Sequence, residues 1–126
     1  MMKQLQINDL FIKREQYRGN SEIEEVEMFD TIAILSSGAF RECSSLKSVF
    51  FGLDISRIGH GAFQDCKSLK DVWFAIIDEN KFIEIAEDAF DGCPKDITFH
   101  IFASATKNKY LNDYAKRHGF KVVGMM

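Results

Sequence analysis

The chain has 126 residues, a length typical of one domain with a substantial core. Its net charge of −3 argues against nucleic acid as a partner, because binding phosphates requires a basic surface. No stretch approaches the roughly 20 apolar residues of a membrane span. Twelve Phe against one Pro is an unusual balance, and it points to a pattern that repeats.

The first residues do not have the apolar segment of a signal peptide. We expect a cytoplasmic protein if the chain is complete, and a secreted or cell-surface protein if a leader has been removed. Residues 1–22 are predicted to form an N-terminal cap, since a stack of repeats exposes its core at both ends. Within this cap, Leu10-Phe11-Ile12-Lys13 and Gln16-Tyr17-Arg18 favour a hairpin or two short strands, with a turn at Gly19-Asn20.

Residues 23–96 contain a repeated sequence segment. The segment from Gly38 to Phe51 returns from Gly61 to Phe74 with a constant shift of 23 residues. A weaker third copy begins at Ala89-Phe90-Asp91-Gly92-Cys93, 27 residues after the second. Similarity at a fixed period predicts structural units stacked side by side, each contacting only its neighbours.

Each unit, or rung, starts with a short strand whose alternate residues are apolar. Val26, Val49 and Val72 share one phase, and Met28, Phe51 and Phe74 follow two residues later, so both sets are expected to face the core. Strands of successive rungs must lie parallel and form a ribbon. Irregular or short helical crossovers are expected to form the opposite wall, and the last large side chain of each rung to fill the core centre. The crossover pairs are Ile32 with Leu35, Ile55 with Ile58 and Phe82 with Ile85; the central residues are Phe40, Phe63 and Phe90.

The three cysteines, Cys43, Cys66 and Cys93, occupy one phase of the repeat. Disulfides normally use an even number of cysteines, and a zinc site would require CxxC pairs or nearby histidines. Equal phase favours a ladder of buried free thiols, in which each Cys acts as a small hydrophobic residue.

The third rung carries four extra residues near Ile77-Asp78-Glu79-Asn80, which predict a loop. Residues 97–126 are predicted to form a last strand and a C-terminal cap. Tyr110, Leu111, Tyr114 and Ala115 give the segment 109–118 one apolar helical face, and Gly119 suits a left-handed helix end. The whole chain is therefore predicted as one domain, an α/β-type solenoid with a strand or hairpin cap and a helical cap.

If Val49 and Phe51 face the core, alternate strand residues face solvent and form columns across the rungs. We expect one column of Glu25, Ser48, Asp71 and Asp96, and a second of Glu27, Phe50, Trp73 and Thr98. Two adjacent outward aromatics, rimmed by charge, are typical of a binding hot spot. They are also compatible with simple cross-strand packing, or with coverage by the inserted loop or the N-terminal segment. The residues predicted to bind a partner are Phe50, Trp73, Glu27, Phe29, Asp71, Thr98 and His100.

Catalytic and cofactor sites are not predicted. His60, His100 and His118 are scattered over a turn, a strand face and a helix end. No Gly-rich phosphate loop or metal motif is present in the sequence.

The units Ala39-Phe40-Arg41-Glu42-Cys43-Ser44-Ser45-Leu46-Lys47-Ser48-Val49 and Ala62-Phe63-Gln64-Asp65-Cys66-Lys67-Ser68-Leu69-Lys70-Asp71-Val72 resemble the AFxxCxSLxxV core of the BspA-like leucine-rich repeats. Tyr17-Arg18-Gly19 and the segment 110–120 resemble that family's caps. The resemblance implies a non-catalytic leucine-rich-repeat solenoid, and members are typically surface or secreted proteins that bind other proteins. This chain has fewer repeats than most members.

Together these features predict a protein–protein interaction module, possible adhesion included, that contacts an unidentified protein through its strand face. Self-association through the same face is an alternative partner arrangement. A purely structural spacer or capping unit of a larger assembly is an alternative function. A carbohydrate-binding surface is another, because an exposed Trp can stack on sugars.

Overall fold

The strands of this protein form two parallel sheets, and the chain visits the two sheets in turn. The computed structural model describes residues 4–7, 11–28 and 32–125. The described strands run in chain order as β1 (Gln4–Ile7), β2 (Phe11–Ile12), β3 (Glu25–Met28), β4 (Ile34–Leu35), β5 (Ser48–Phe51), β6 (Arg57–Ile58), β7 (Asp71–Phe74), β8 (Glu84–Ile85), β9 (Thr98–Phe102) and β10 (Lys121–Met125).

One sheet has six strands in the order β1-β3-β5-β7-β9-β10, and the other has four in the order β2-β4-β6-β8. Every described strand pair is parallel. The six-stranded sheet is the predicted ribbon, and its register matches the repeat, since Val49 pairs with both Val26 and Val72. The predicted solenoid of parallel strands is confirmed.

The crossovers differ from the irregular or helical segments expected. Each one contributes a two-residue strand to the four-stranded sheet, so the opposite wall is a second parallel ribbon. Because the rungs stack in register, these extended residues lie side by side and their backbones can form hydrogen bonds between rungs. The sequence of a single rung does not show these bonds. Ile32, Leu35, Ile55 and Ile58 are buried in this wall as predicted.

Phe82 does not occupy the core position predicted for it. Its side chain is 59% exposed, and the next residue, Ile83, is buried instead. The register of β8 is as expected, since Ile58 pairs with Ile85 at the 27-residue spacing, but the Phe82 ring packs edge-to-face on Tyr110 instead of entering the core. Ile77 in this insertion is also exposed, by 63%.

A third side of each rung consists of turns that also bond to the next rung. The N–H of Phe40 donates to the carbonyl of Ala62 at 2.8 Å, and the N–H of Phe63 donates to that of Ala89 at 2.8 Å. Glu42 and Asp65 adopt left-handed backbone at equivalent positions, with φ of 62° and 60°, which turns the chain back toward the six-stranded sheet.

Aromatic rings form a continuous column through the core. Tyr17, Phe40, Phe63 and Phe90 stack face to face with successive centroid separations of 5.1, 5.6 and 5.2 Å. The small Ala39, Ala62 and Ala89 beside them are buried, as the crowded turns require. The prediction that these Phe residues fill the core centre is confirmed.

Of the two short strands predicted at the N-terminus, the first forms as β2, Phe11–Ile12, but the second is wrong, because Gln16-Tyr17-Arg18 does not form a strand. β1 pairs in parallel with β3, and β2 pairs in parallel with β4. Gln16-Tyr17-Arg18 lie in a turn equivalent to the Phe40 turn, where the N–H of Tyr17 donates to Ala39 O at 2.8 Å. Residues 4–7 and 11–22 thus continue the register of the rungs that follow.

The C-terminal end carries the predicted helical cap. A short 3-10 helix, Ala103–Ala105, leads into helix α1, Lys109–His118, and Gly119 ends it with φ of 75°. Leu111, Tyr114 and Ala115 are buried against the last rung. The N-cap residue Asn108 accepts a hydrogen bond from Leu111 N at 3.1 Å, and its Nδ2 donates to Lys81 O at 3.0 Å. Asn108 thereby joins the inserted loop to the cap.

Candidate functional site

The outward face of the six-stranded sheet carries the residues predicted to bind a partner. Strand register places Phe50 directly beside Trp73, with Glu27 on one side and His100 on the other. A second column has Asp71 between Ser48 and Thr98. Each of these residues is partly exposed. The full columns are Gln6, Glu27, Phe50, Trp73, His100 and Val123, and Gln4, Glu25, Ser48, Asp71, Thr98 and Lys121.

The last rung of both predicted columns was placed two residues too early. The structure pairs Asp71 with Thr98 instead of Asp96, and Trp73 with His100 instead of Thr98. The spacing between these rungs is 27 residues, the same as between Phe63 and Phe90. Asp96 precedes β9 and is exposed there. The predicted contact residue Phe29 lies outside the described residues.

The corrected register forms a compact group from Asp71, Trp73 and His100. The imidazole of His100 stacks on the indole of Trp73 with 3.8 Å between centroids and 10° between planes. Its Nε2 lies 2.8 Å from Asp71 Oδ1, and the side chain is only 17% exposed. The imidazole therefore covers one side of the indole and is held there by the carboxylate.

A shallow depression of about 140 Å³ opens on the other side of Trp73. Phe50 and Trp73 line it together with the carboxylate-bearing Glu25 and Glu27. Glu27 Oε1 accepts a hydrogen bond from Gln6 Nε2 at 3.1 Å, which orients that carboxylate. Aromatic rings beside carboxylates suit a ligand group that is both apolar and cationic.

Sequence reasoning missed the contribution of β1 to this face. Gln4 lines the depression, and Gln6 holds Glu27, yet both were assigned to a cap. The signal was present in Gln4-Leu5-Gln6-Ile7, which alternates polar and apolar residues like a half-buried strand. Leu5 packs against the core and Ile7 is buried, as that alternation requires.

Comparison with protein families matches residues 4–116 to the BspA type leucine rich repeat region, in six copies. The chain belongs to this family. Its BspA-type repeats thus include N-terminal residues that the repeated segment of residues 38–74 did not identify as part of a repeat. Repeats of this family are in general non-catalytic.

A search of curated proteins found no significant match. Among solved structures, the BspA-type chain is similar to the one described as the crystal structure of pneumococcal vaccine antigen PcpA. The two share 11% identity with a TM-score of 0.37, over 96% of this chain and 41% of that chain. This chain therefore spans less than half the length of that one.

The cysteines of the BspA-type repeats are structural. All three are free and buried, which confirms the predicted thiol ladder. The Sγ atoms of Cys43, Cys66 and Cys93 donate to the carbonyls of Tyr17, Phe40 and Phe63 at 3.2, 3.1 and 3.0 Å. Burial raises the pKa of Cys43, and a hydrogen bond with Cys93 together with burial raises the pKa of Cys66. Neither thiol is poised as a nucleophile.

The side formed by the turns carries a groove of about 270 Å³, and its charged side chains form ion pairs with their neighbours. Arg18 bonds to Glu15 and to Glu42, and the Arg18 hydrogen bond lowers the pKa of Glu15. His60 lies 3.4 Å from Asp88. In the part of the chain that the structure describes, no group of three or more His, Cys, Asp or Glu residues is arranged to hold a metal ion. The helices described there are too short or too polar to cross a membrane.

Proposed function

We propose that this chain is a non-catalytic protein–protein interaction module of the adhesion type, and that it binds through the outward face of its six-stranded sheet. The observation that carries the proposal is the cross-strand pair of Phe50 and Trp73, both partly exposed at the depression on that face. Family membership supports an interaction role, because leucine-rich repeats commonly bind proteins. It also supports a location at the cell surface.

The chemistry of the face favours a particular kind of protein partner. Phe50 and Trp73 supply apolar contact area with little rotamer freedom to lose, which suits an anchoring pocket. Glu25, Glu27 and Asp71 place carboxylates around these rings. A segment that presents an Arg or Lys beside an apolar side chain matches both features. Thr98 and His100 extend the contact surface beyond Trp73.

The first test measures the accessibility of Trp73, the only Trp in the chain. We expect its fluorescence to be quenched by acrylamide at high dilution of the protein. Protection that is lost on dilution would identify a second copy of this chain as the partner. Protection that persists on dilution would contradict binding at Trp73 and favour the spacer or capping role.

The second test immobilises two double variants of the chain and compares how well each retains cell-surface proteins. Phe50→Ser/Trp73→Ser removes the proposed anchors. Phe11→Ser/Ile34→Ser is the matched control, because these side chains are 52% and 39% exposed and lie side by side on the four-stranded sheet. We expect the first variant alone to lose retention. Equal retention by both would contradict the proposal, and release by free sugars would favour a carbohydrate-binding surface.

A further inference from the structure

β8 is the last strand of the four-stranded sheet, and its outer edge is open to a further strand. The N–H groups of Glu84 and Ala86 donate to Ser56 O and Ile58 O, both at 2.9 Å, and so point toward β6. In planar trans peptides, the carbonyls of Ile83 and Ile85 then point the opposite way. Strand alternation also directs the N–H of Ile85 to the open side.

Helix α1 lies across from this edge and leaves a groove of about 210 Å³. Tyr110, Asp113, Tyr114 and Arg117, spaced as one helical face, line the groove opposite Ile83, Glu84 and Ile85, and Lys109 at the start of the helix lines it too. In the repeating pattern, a strand of the next rung would occupy this place. The chain instead forms the capping helix, whose side chains line the other side of the groove.

Both ends of the groove are fixed by side chains that bond to the backbone of the edge. At one end Asn108 Nδ2 donates to Lys81 O, and at the other the hydroxyl of Tyr114 donates to Glu87 O at 3.0 Å. Arg117 Nη2 also lies 2.6 Å from Glu87 Oε1. The groove between these anchors is preformed, so a ligand does not have to open it.

The charges in the groove indicate what kind of ligand it fits. Arg117 is matched by Glu87, and Glu84 faces Arg57 at 3.9 Å. The ammonium of Lys109 lies 5.9 Å from the centre of the Tyr110 ring. Asp113 forms no ion pair with any of the residues that the structure describes. Three residues before it on the helix, Tyr110 packs edge-to-face on the exposed Phe82 at 4.9 Å. An acidic group thus lies next to an aromatic shelf.

We propose that this groove binds an extended peptide segment of another protein, which adds a parallel strand to β8. The segment carries a Lys or Arg that meets Asp113, and an apolar residue two positions away that lies over Tyr110. Its backbone N–H and C=O groups pair with the carbonyls of Ile83 and Ile85 and the N–H of Ile85. This site is separate from the outward face of the six-stranded sheet.

The test is selection of random seven-residue peptides displayed on phage against the full chain. We expect enriched sequences with a basic residue two positions from an apolar one. A synthetic copy of the best sequence should bind at least about tenfold more weakly to Asp113→Asn, and not measurably to Asp113→Lys. Asp96→Asn, an exposed acidic residue outside the groove, is the matched control and should bind normally.

A second measurement leaves the protein unchanged. N-methylation of the peptide amide that pairs with Ile83 removes one backbone hydrogen bond, and we expect binding to be lost. The proposal would be overturned if no sequence were enriched. It would also be overturned if peptide affinity were unchanged by both Asp113→Lys and N-methylation. Binding that disappears in Phe50→Ser/Trp73→Ser would overturn it too. A dimer of the chain that Asp113→Lys dissociates would replace the peptide with a second copy.

Discussion

The indole of Trp73 and the imidazole of His100 lie face to face on neighbouring strands, 3.8 Å apart between centroids. Residues directly opposite in a sheet interact as a unit, and aromatic pairs are among the stronger ones. Because Asp71 Oδ1 holds the imidazole at 2.8 Å, the indole is presented in one orientation. The face therefore presents a preorganised ring.

We expect His100→Ala to make Trp73 more accessible. Removing the imidazole uncovers one side of the indole, so acrylamide should quench its fluorescence more strongly and the emission maximum should move to longer wavelength. His60→Ala is the control, because His60 is a highly exposed residue of the turn side. Unchanged quenching in His100→Ala would contradict the stacked arrangement.

Phe63→Ala should be among the most destabilising single changes in this chain. Phe63 lies between Phe40 and Phe90 in the ring column and is fully buried, so truncation leaves a cavity that two rungs share. We expect the free energy of unfolding in urea to fall by about 3–5 kcal/mol. Phe82→Ala, at an exposed ring, should cost much less; equal losses would contradict the assignment of the column.

The three thiols should resist alkylation while the protein is folded. All three are buried, and the raised pKa of Cys43 and Cys66 leaves little reactive thiolate at those two. A hydrogen bond with Cys66 lowers the pKa of Cys93, so burial alone protects that thiol. We expect iodoacetamide at pH 8 to modify all three in urea and to leave them largely unmodified without it. Fast modification of Cys66 in the folded protein would show that the ladder opens locally.

A raised thiol pKa also sets the direction of the pH dependence of stability. The thiols of Cys43 and Cys66 ionise in the unfolded chain above about pH 8.5, before they ionise in the folded protein. Their contribution to stability is therefore complete below that pH and is lost as the pH rises above it. Cys66→Ala should flatten this alkaline decline in urea denaturation experiments, relative to its own stability at pH 7.

Asn108→Ala should loosen the C-terminal cap and the inserted loop together. The change removes the N-cap hydrogen bond to Leu111 N and leaves Lys81 O without its donor. We expect a loss of about 2 kcal/mol in unfolding free energy, with faster amide exchange in both α1 and residues 78–82. Lys109→Ala, at the exposed neighbour, is the control. Exchange that changes in the helix alone would argue against the bridge.

Much of the fold could be predicted because equal phases of the repeat occupy equal environments. Val49 and Val72, the Phe40 and Phe63 turns, and Cys43 and Cys66 recur at one spacing, so one rung could be read from another. Helix α1 was predictable because its apolar face and Gly119 are local signals. These features depend on periodicity and on short-range backbone preferences, both of which a sequence displays directly.

The remaining features depend on contacts between rungs. A two-residue strand such as Arg57–Ile58 has no period of its own, and only its neighbours in the sheet define it. The burial of Ile83 in place of the predicted Phe82 depends on the path of the chain after the insertion, which the repeat does not set. The stacking of His100 on Trp73 required the 27-residue spacing to be carried through to β9. The groove beside α1 arises only because the helix takes the place of a strand.

The hydrogen bonds of both sheets run along the stacking direction, from the first rung to the last. Tension that pulls the two ends of the stack apart therefore acts along these bonds and opens them one rung at a time, as in unzipping. Each released rung of 23 residues would lengthen the chain by about 80 Å at full extension. The same architecture that aligns Phe50 beside Trp73 is thus expected to extend in steps, one rung at a time, when its ends are pulled apart.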